Sequence, residues 1–269
     1  MEQPRPAGAA PALWNKVPAI TLSFWLIKVL STTVGETGAD YLAVHVGLGA
    51  ARTTGLMTVL LLAALLIQLS RSRYVPWIYW LTVVLLSVVG TQITDILTDT
   101  LNVSLYVSTT VFSVLLAIWF WVWHRAEGTL SINAIDTRSR ELFYWGAILV
   151  TFALGTAAGD LATEALGLGF RVGVLVFAAL IAVIAVAWRA GMNAVLAFWL
   201  AYILTRPLGA SLGDLLAQAR EYGGLGLGTV VTSALFLAVI AGLVFLISVR
   251  GAAQSPAAAV KNSSERYPQ

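Results

Sequence analysis

The sequence predicts an all-α integral membrane protein of eight transmembrane helices. Three observations predict it: an apolar excess with few charges, eight apolar stretches of membrane-crossing length, and one motif that returns in every second stretch. Of 269 residues, 59% are hydrophobic and 11% charged, and the mean hydropathy is +0.85, well outside the composition of a soluble domain. Cysteine is absent, which excludes disulfides, thiolate metal sites and thiol catalysis, and the only histidines are His45 and His124. Any metal would therefore need oxygen ligands. The sequence pI of about 9.3 reports membrane topology rather than a nucleic-acid partner.

The first apolar stretch covers 18–44. It follows "MEQPRPAGAAPALWNK", which lacks a positively charged start leading into a short apolar core, so this segment is expected to be retained as a span. The others lie at 53–70, 76–99, 103–123, 142–166, 171–188, 192–219 and 228–249. Each approaches or exceeds the roughly 20 residues that a helix needs to cross the hydrocarbon. With loops alternating sides, one side receives Arg5, Lys16, Arg71, Arg73, Arg125, Arg138, Arg140, Arg189, Arg250, Lys261 and Arg266, and the other only Arg52, Arg171 and Arg220. The positive-inside bias thus predicts both termini in the cytoplasm. Residues 1–15 and the tail 251–269 are polar or small and are expected to be disordered cytoplasmic segments. A single membrane domain, 16–250, lies between them.

Inside that domain a motif recurs four times: "FWLIKVLSTTVGETGAD", "YWLTVVLLSVVGTQITD", "YWGAILVTFALGTAAGD" and "FWLAYILTRPLGASLGD". In each, Trp is followed by Gly ten residues on and by Asp fifteen residues on: Trp25, Gly35, Asp40; Trp80, Gly90, Asp95; Trp145, Gly155, Asp160; Trp199, Gly209, Asp214. Each repeat (about 16–75, 76–130, 141–190 and 191–250) is a motif-bearing helix plus a plainer one, so every repeat enters and leaves on the same side. Four parallel two-helix repeats around a pseudo-symmetry axis along the membrane normal follow. The tryptophans are expected as anchors at the cytoplasmic interface, and fifteen residues of helical rise, about 22 Å, put the four aspartates at one common depth toward the outer side.

The pattern resembles a bacterial family of uncharacterised, conserved membrane-anchored proteins built from four copies of a repeat of unknown function. The resemblance runs from about Lys16 to Arg250, and "KVPAITLSFWLIKVLSTTVGETGADYL" is its most specific portion. It implies a bacterial cytoplasmic membrane location and the fourfold repeat, and nothing about activity.

Four residues beyond each Asp lies the next turn, holding Asp99, Glu164 and Gln218 in repeats two to four, while repeat one places Glu36 before Asp40. Intramembrane acids face a bundle interior or water, pair with cations, or take up protons. If the odd helices line a vestibule, Asp40, Asp95, Asp160 and Asp214, with Glu36, Asp99 and Glu164, offer hard oxygen ligands that suit Mg, Mn, Ca or protons, supported by threonine hydroxyls and carbonyls beside the glycines. The alternative makes each Asp a helix terminator near the headgroups, which does not account for Asp in four repeats of four. Lys28, three residues past Trp25, is expected to snorkel to the cytoplasmic interface or to serve as an auxiliary charge partner. Arg206 lies about 10 Å deep by helical rise and needs a partner, for which Glu36 is the candidate; Pro207 beside it suggests a kink. Gly35, Gly90, Gly155 and Gly209 are expected to permit close helix packing. "VGLGA", "LGLGF" and "GLGLG" resemble tight outer turns. His45 is a further candidate ligand or a solvated interfacial side chain, and His124 belongs to a basic membrane-edge collar.

These features predict a secondary transporter or exporter of small cations, with a divalent metal such as Mn or Mg as substrate or bound ion and proton exchange as a driving reaction. The alternatives are an ion channel and a structural or partner-binding membrane scaffold. No HExxH, Ser and His pairing or ATP-binding motif is present, so an enzyme is not expected. The expected partners are the lipid bilayer and a small cation, without nucleic acid.

Overall fold

The structure, a computed structural model, describes residues 15–253. The disorder expected for the opening and tail therefore falls almost wholly outside the described residues. Eight long helices run in order: α1 (Leu22–Asp40), α2 (Ala50–Ser70), α3 (Pro76–Asp95), α4 (Leu105–Glu127), α5 (Arg138–Asp160), α6 (Gly169–Arg189), α7 (Ala194–Ala217) and α8 (Thr229–Ala253). Local chemistry sets several of their starts. The side chains of Thr21, Thr137 and Asn193 accept from the first backbone N–H groups of α1, α5 and α7, and Pro76 opens α3, where its missing N–H costs nothing.

The four odd helices close a ring in which α1 packs on α3, α3 on α5, α5 on α7 and α7 on α1. They run parallel, since aromatic residues near their starts touch around one end: Phe24 with Trp80 and Phe198, Tyr79 with Trp145, Tyr144 with Trp199. Each even helix lies chiefly on the odd helix that follows it, α2 on α3, α4 on α5 and α6 on α7, and α8 closes the circle on α1. The two helices of one repeat are consecutive in sequence but pack mainly on other repeats, which makes the ring an interlocked unit.

Among the described residues seven helices, all but α1, are long and apolar enough to cross a membrane, which suggests a multi-pass membrane protein. In α2, α4, α6 and α8 only 11–22% of the most apolar window is buried, against 61–67% in α3, α5 and α7. The even helices thus present apolar flanks outward, a surface that water would not tolerate on this scale. α1 falls short of that apolarity because Lys28, Glu36 and the hydroxyls of Ser31, Thr32 and Thr33 interrupt it. Those groups are buried inside the bundle rather than turned to the outside.

Candidate functional site

The glycines of the motif place the odd helices. A Cβ at Gly35 would meet Ser87, one at Gly90 would meet Phe152, one at Gly155 would meet Arg206, and one at Gly209 would meet Thr32, each inside van der Waals distance. In every case the neighbour stands three residues before the glycine of the adjacent repeat. One contact repeated four times in one register brings the backbones together and aligns the helices in depth. Two hydroxyls tie the same seams: Thr32 donates to the Thr205 carbonyl at 3.1 Å and Thr94 to the Ala153 carbonyl at 3.1 Å.

The same register brings the aspartates to one end. Asp40, Asp95, Asp160 and Asp214 are half-buried. Asp95 stands within electrostatic reach of Asp40 and Asp160 within reach of Asp95, while Asp214 reaches both Asp160 and Asp40, and Glu36 acts on all four. Because the odd helices stand in ring order in one register, the carboxylates follow one another around the ring of helices, and Glu36 lies within charge reach of each. Asp99 and Glu164 are exposed and lie outside them, still within charge reach of the ring. Among the described residues no three His, Asp or Glu side chains stand close enough to hold one metal ion. The acids are neighbours in charge without forming a joint ligand set in this arrangement.

None of these aspartates ends its helix by capping. After Asp40, Asp95 and Asp160 the chain continues helically for five residues as a wider π turn, Tyr41–His45, Ile96–Thr100 and Leu161–Ala165. The hydrogen bonds repeat with the motif: Val46, Leu101 and Leu166 each donate a backbone N–H five residues back, at 2.9–3.0 Å. Such turns are rare and concentrate at functional sites. They lead into tight turns where Gly47 and Gly167 adopt positive φ, and at the corresponding place in repeat two Asn102 does so at φ 52°, a conformation that Asn tolerates better than most residues. Repeat four departs from this, with α7 ending directly at Ala217. In repeats one to three the α-helix thus gives way at the aspartate to a π turn, and the carboxylate makes no capping hydrogen bond. His45 is exposed, and its Nδ1 lies 3.5 Å from the Thr229 hydroxyl.

Below the acids the axis is filled by two cations. Arg206, 1% exposed, donates from Nη2 to Glu36 Oε2 at 2.7 Å and to the Thr91 hydroxyl, and from Nη1 to the Thr32 carbonyl at 3.4 Å. It is thus anchored on α1 and α3 while its own helix, α7, contains Pro207, which removes a backbone donor one residue away. Lys28 corrects the expectation that it snorkels. It is 1% exposed, its Nζ has no hydrogen-bond partner among the described residues, and it lies 4.2 Å and 4.3 Å from the ring centroids of Phe152 and Tyr202. The parallel ring turns position 28 toward the axis, so the ammonium meets aromatic faces, which attract cations, and not headgroups or a carboxylate partner.

The tryptophans need a similar correction. Trp80, Trp145 and Trp199 are buried and Trp25 is half-buried. They form the packed aromatic end of the ring instead of anchoring at an interface, because the parallel odd helices turn these positions inward. The threonine hydroxyls of the motif are oriented by their own helices. Thr33, Thr37, Thr91 and Thr156 donate their hydroxyl protons to carbonyls four residues back on their own helices.

A buried cluster near the aromatic end escapes sequence reasoning. Lys16 pairs with Glu141 at 2.7 Å, Gln68 donates to Glu141 at 3.0 Å, and Trp145 Nε1 approaches the same carboxylate at 3.5 Å. It pins the segment before α1 to α2 and α5. A lone Gln within the apolar α2 was the available signal.

The family model described as Repeat of Unknown Function (DUF347) matches four segments of the chain, 23–74, 78–129, 143–190 and 197–252, each covering two consecutive long helices. These segments account for most of the chain, which therefore belongs to that family. No curated protein and no solved structure matches it.

Proposed function

We propose, with membership in that four-copy repeat family as the premise, that the protein is a secondary transporter of small cations. In this reading all eight long helices cross a bacterial cytoplasmic membrane, with the ring axis along the membrane normal and both termini inside. The acidic end then opens outward. The carrying observation is the shared register of the parallel odd helices, which sets Asp40, Asp95, Asp160 and Asp214 at one end of the ring, a concentration of negative charge that raises local cation concentration at the mouth of a low-dielectric bundle.

The spread of these carboxylates suits a divalent cation that keeps part of its water, as Mg and Mn do, more than one stripped into a tight cage. Arg206 holds Glu36 through an ion pair at 2.7 Å. An arriving cation competes with the guanidinium for that carboxylate, and the Pro207-containing α7 is the element free to shift when the pair opens. The same pair disfavours a permanently open channel, since a buried cation stands on the axis. It also supports the rival scaffold reading, in which Arg206 and Glu36 are a static pair.

The test is uptake of Mn, Mg and Ca into liposomes containing the purified protein. Transport predicts saturable uptake of one of these ions in wild type and at least a tenfold loss in Asp160→Asn at equal folded protein. Equal signals from wild type, Asp160→Asn and empty liposomes would leave the scaffold reading in possession.

A further inference from the structure

The outer helices do not cover the ring completely. α4 lies on α5 and reaches α7 at the aromatic end, where the rings of Phe120 and Trp199 stand 4.8 Å apart and Trp199 Nε1 donates to the Leu130 carbonyl at 2.9 Å. Beside that contact a groove of about 490 Å³ opens between α4 and α7, and the buried Leu154 of α5 completes its wall. The wall is apolar along its length. The Ser113 hydroxyl, which lines it, is turned to the Thr109 carbonyl at 2.7 Å, and the Asn193 side-chain oxygen at its inner end is taken by the first N–H groups of α7.

The depth of the groove is that of one leaflet. It runs along α7 from the Asn193 cap to Ile203, about 15 Å by helical rise, against roughly 30 Å for the whole hydrocarbon core. Its mouth lies at the end where α4 finishes and α7 begins, and the charges there are unbalanced. Glu127 and Asp136 both hold Arg140, and Glu141 holds Lys16. Arg125, five residues past Phe120 on α4, and Arg189, four residues before Asn193, are exposed and have no ion-pair partner among the described residues. The Arg125 guanidinium rests 5.4 Å from the ring centroid of Trp121, which keeps it beside α4. An apolar slot one leaflet deep, ending at two free guanidinium groups, matches a lipid tail joined to a phosphate, since guanidinium binds phosphate through paired hydrogen bonds.

We propose that the groove between α4 and α7 holds one acyl chain of an anionic phospholipid of the inner leaflet, with the headgroup taken by Arg125 and Arg189. A zwitterionic lipid has the same tail but brings its own ammonium to the arginines, so the selection is made by charge. The proposal rests on the reading above for the placement of the ring in the membrane and makes no use of its cargo.

The experiment titrates the full chain, purified and delipidated in a maltoside detergent, with dioleoyl phosphatidylglycerol or dioleoyl phosphatidylcholine, and counts bound lipid by native mass spectrometry. Wild type should hold one phosphatidylglycerol at least about tenfold more tightly than phosphatidylcholine, the size expected of two basic residues at a headgroup. Ala117→Phe and Leu200→Phe, which fill the groove, should each weaken that binding by a similar factor. Arg125→Gln/Arg189→Gln should erase the preference between the two lipids. Leu175→Phe, on the outward flank of α6 and 69% exposed, should change nothing, and thermal unfolding of every variant separates a lost site from a lost fold. Equal binding of the two lipids by wild type, or undiminished phosphatidylglycerol binding in both groove-filling variants, overturns the proposal. So does a dimer of wild type that Ala117→Phe disperses, which would give the groove to a second copy of the chain. Lipid selection without ion uptake would uphold the groove and remove the transport reading, and ion uptake without lipid selection would do the reverse.

Discussion

At the four seams between odd helices one arrangement repeats, with Gly35, Gly90, Gly155 and Gly209 each pressed against the residue three before the next repeat's glycine. One residue further along, the repeats present Glu36, Thr91, Thr156 and Ala210, so a carboxylate stands there in one repeat alone. A seam must satisfy backbone spacing, which is the same problem four times. The axis must satisfy charge, and there a single Arg206 serves the carboxylate of one helix and the hydroxyl of another. The comparison teaches that the fold is fourfold where it is packed and singular where it is charged.

The most severe test of the singular part is Glu36→Gln. It leaves Arg206 buried without its carboxylate, which should cost about 3–5 kcal/mol, read as a large fall in unfolding temperature in detergent. Adding Arg206→Met should recover most of it. A single mutant as stable as wild type would show that the pair carries no weight in the axis. On the seams, Gly90→Ala places a Cβ 2.5 Å from Phe152 Cβ and 3.3 Å from the Ala153 backbone nitrogen, and should cost ~1–3 kcal/mol. Gly38→Ala, with nothing within 4 Å, should show no loss by the same measurement, and equal behaviour of the two would break the seam account.

Smaller effects sharpen the contrast between structural and functional polarity. Tyr79→Phe leaves the buried Tyr144 hydroxyl without its partner and should cost about 1–3 kcal/mol, read as a lower unfolding temperature. Asp160→Asn should leave the unfolding temperature unchanged or raise it, since it relieves repulsion from Glu36, Glu164, Asp214 and Asp95. A marked fall instead would mark Asp160 as structural.

Much of this was legible in the sequence because a helix converts spacing into depth. The interval from Trp to Gly to Asp put like residues at like levels, and Arg206 about one helical turn from Glu36, within side-chain reach of it. Spacing along a helix does not say which way a side chain turns. Lys28 and three of the tryptophans were therefore placed at an interface, when the parallel ring directs them inward. The π turns after Asp40, Asp95 and Asp160 have no composition of their own to betray them. The packing of each even helix on the next repeat depends on ring closure, and the Lys16, Gln68 and Glu141 cluster joins residues from three separate segments, so neither could be read from local pattern.

The central claim is that the carboxylate ring handles a cation for transport. It is tested most directly by total metal content, measured by elemental mass spectrometry, in cells producing wild type or the Asp95→Asn/Asp160→Asn variant at matched membrane levels. The account predicts that wild type changes the content of one divalent metal relative to empty vector and that the variant abolishes the change. Identical metal profiles in all three would contradict it.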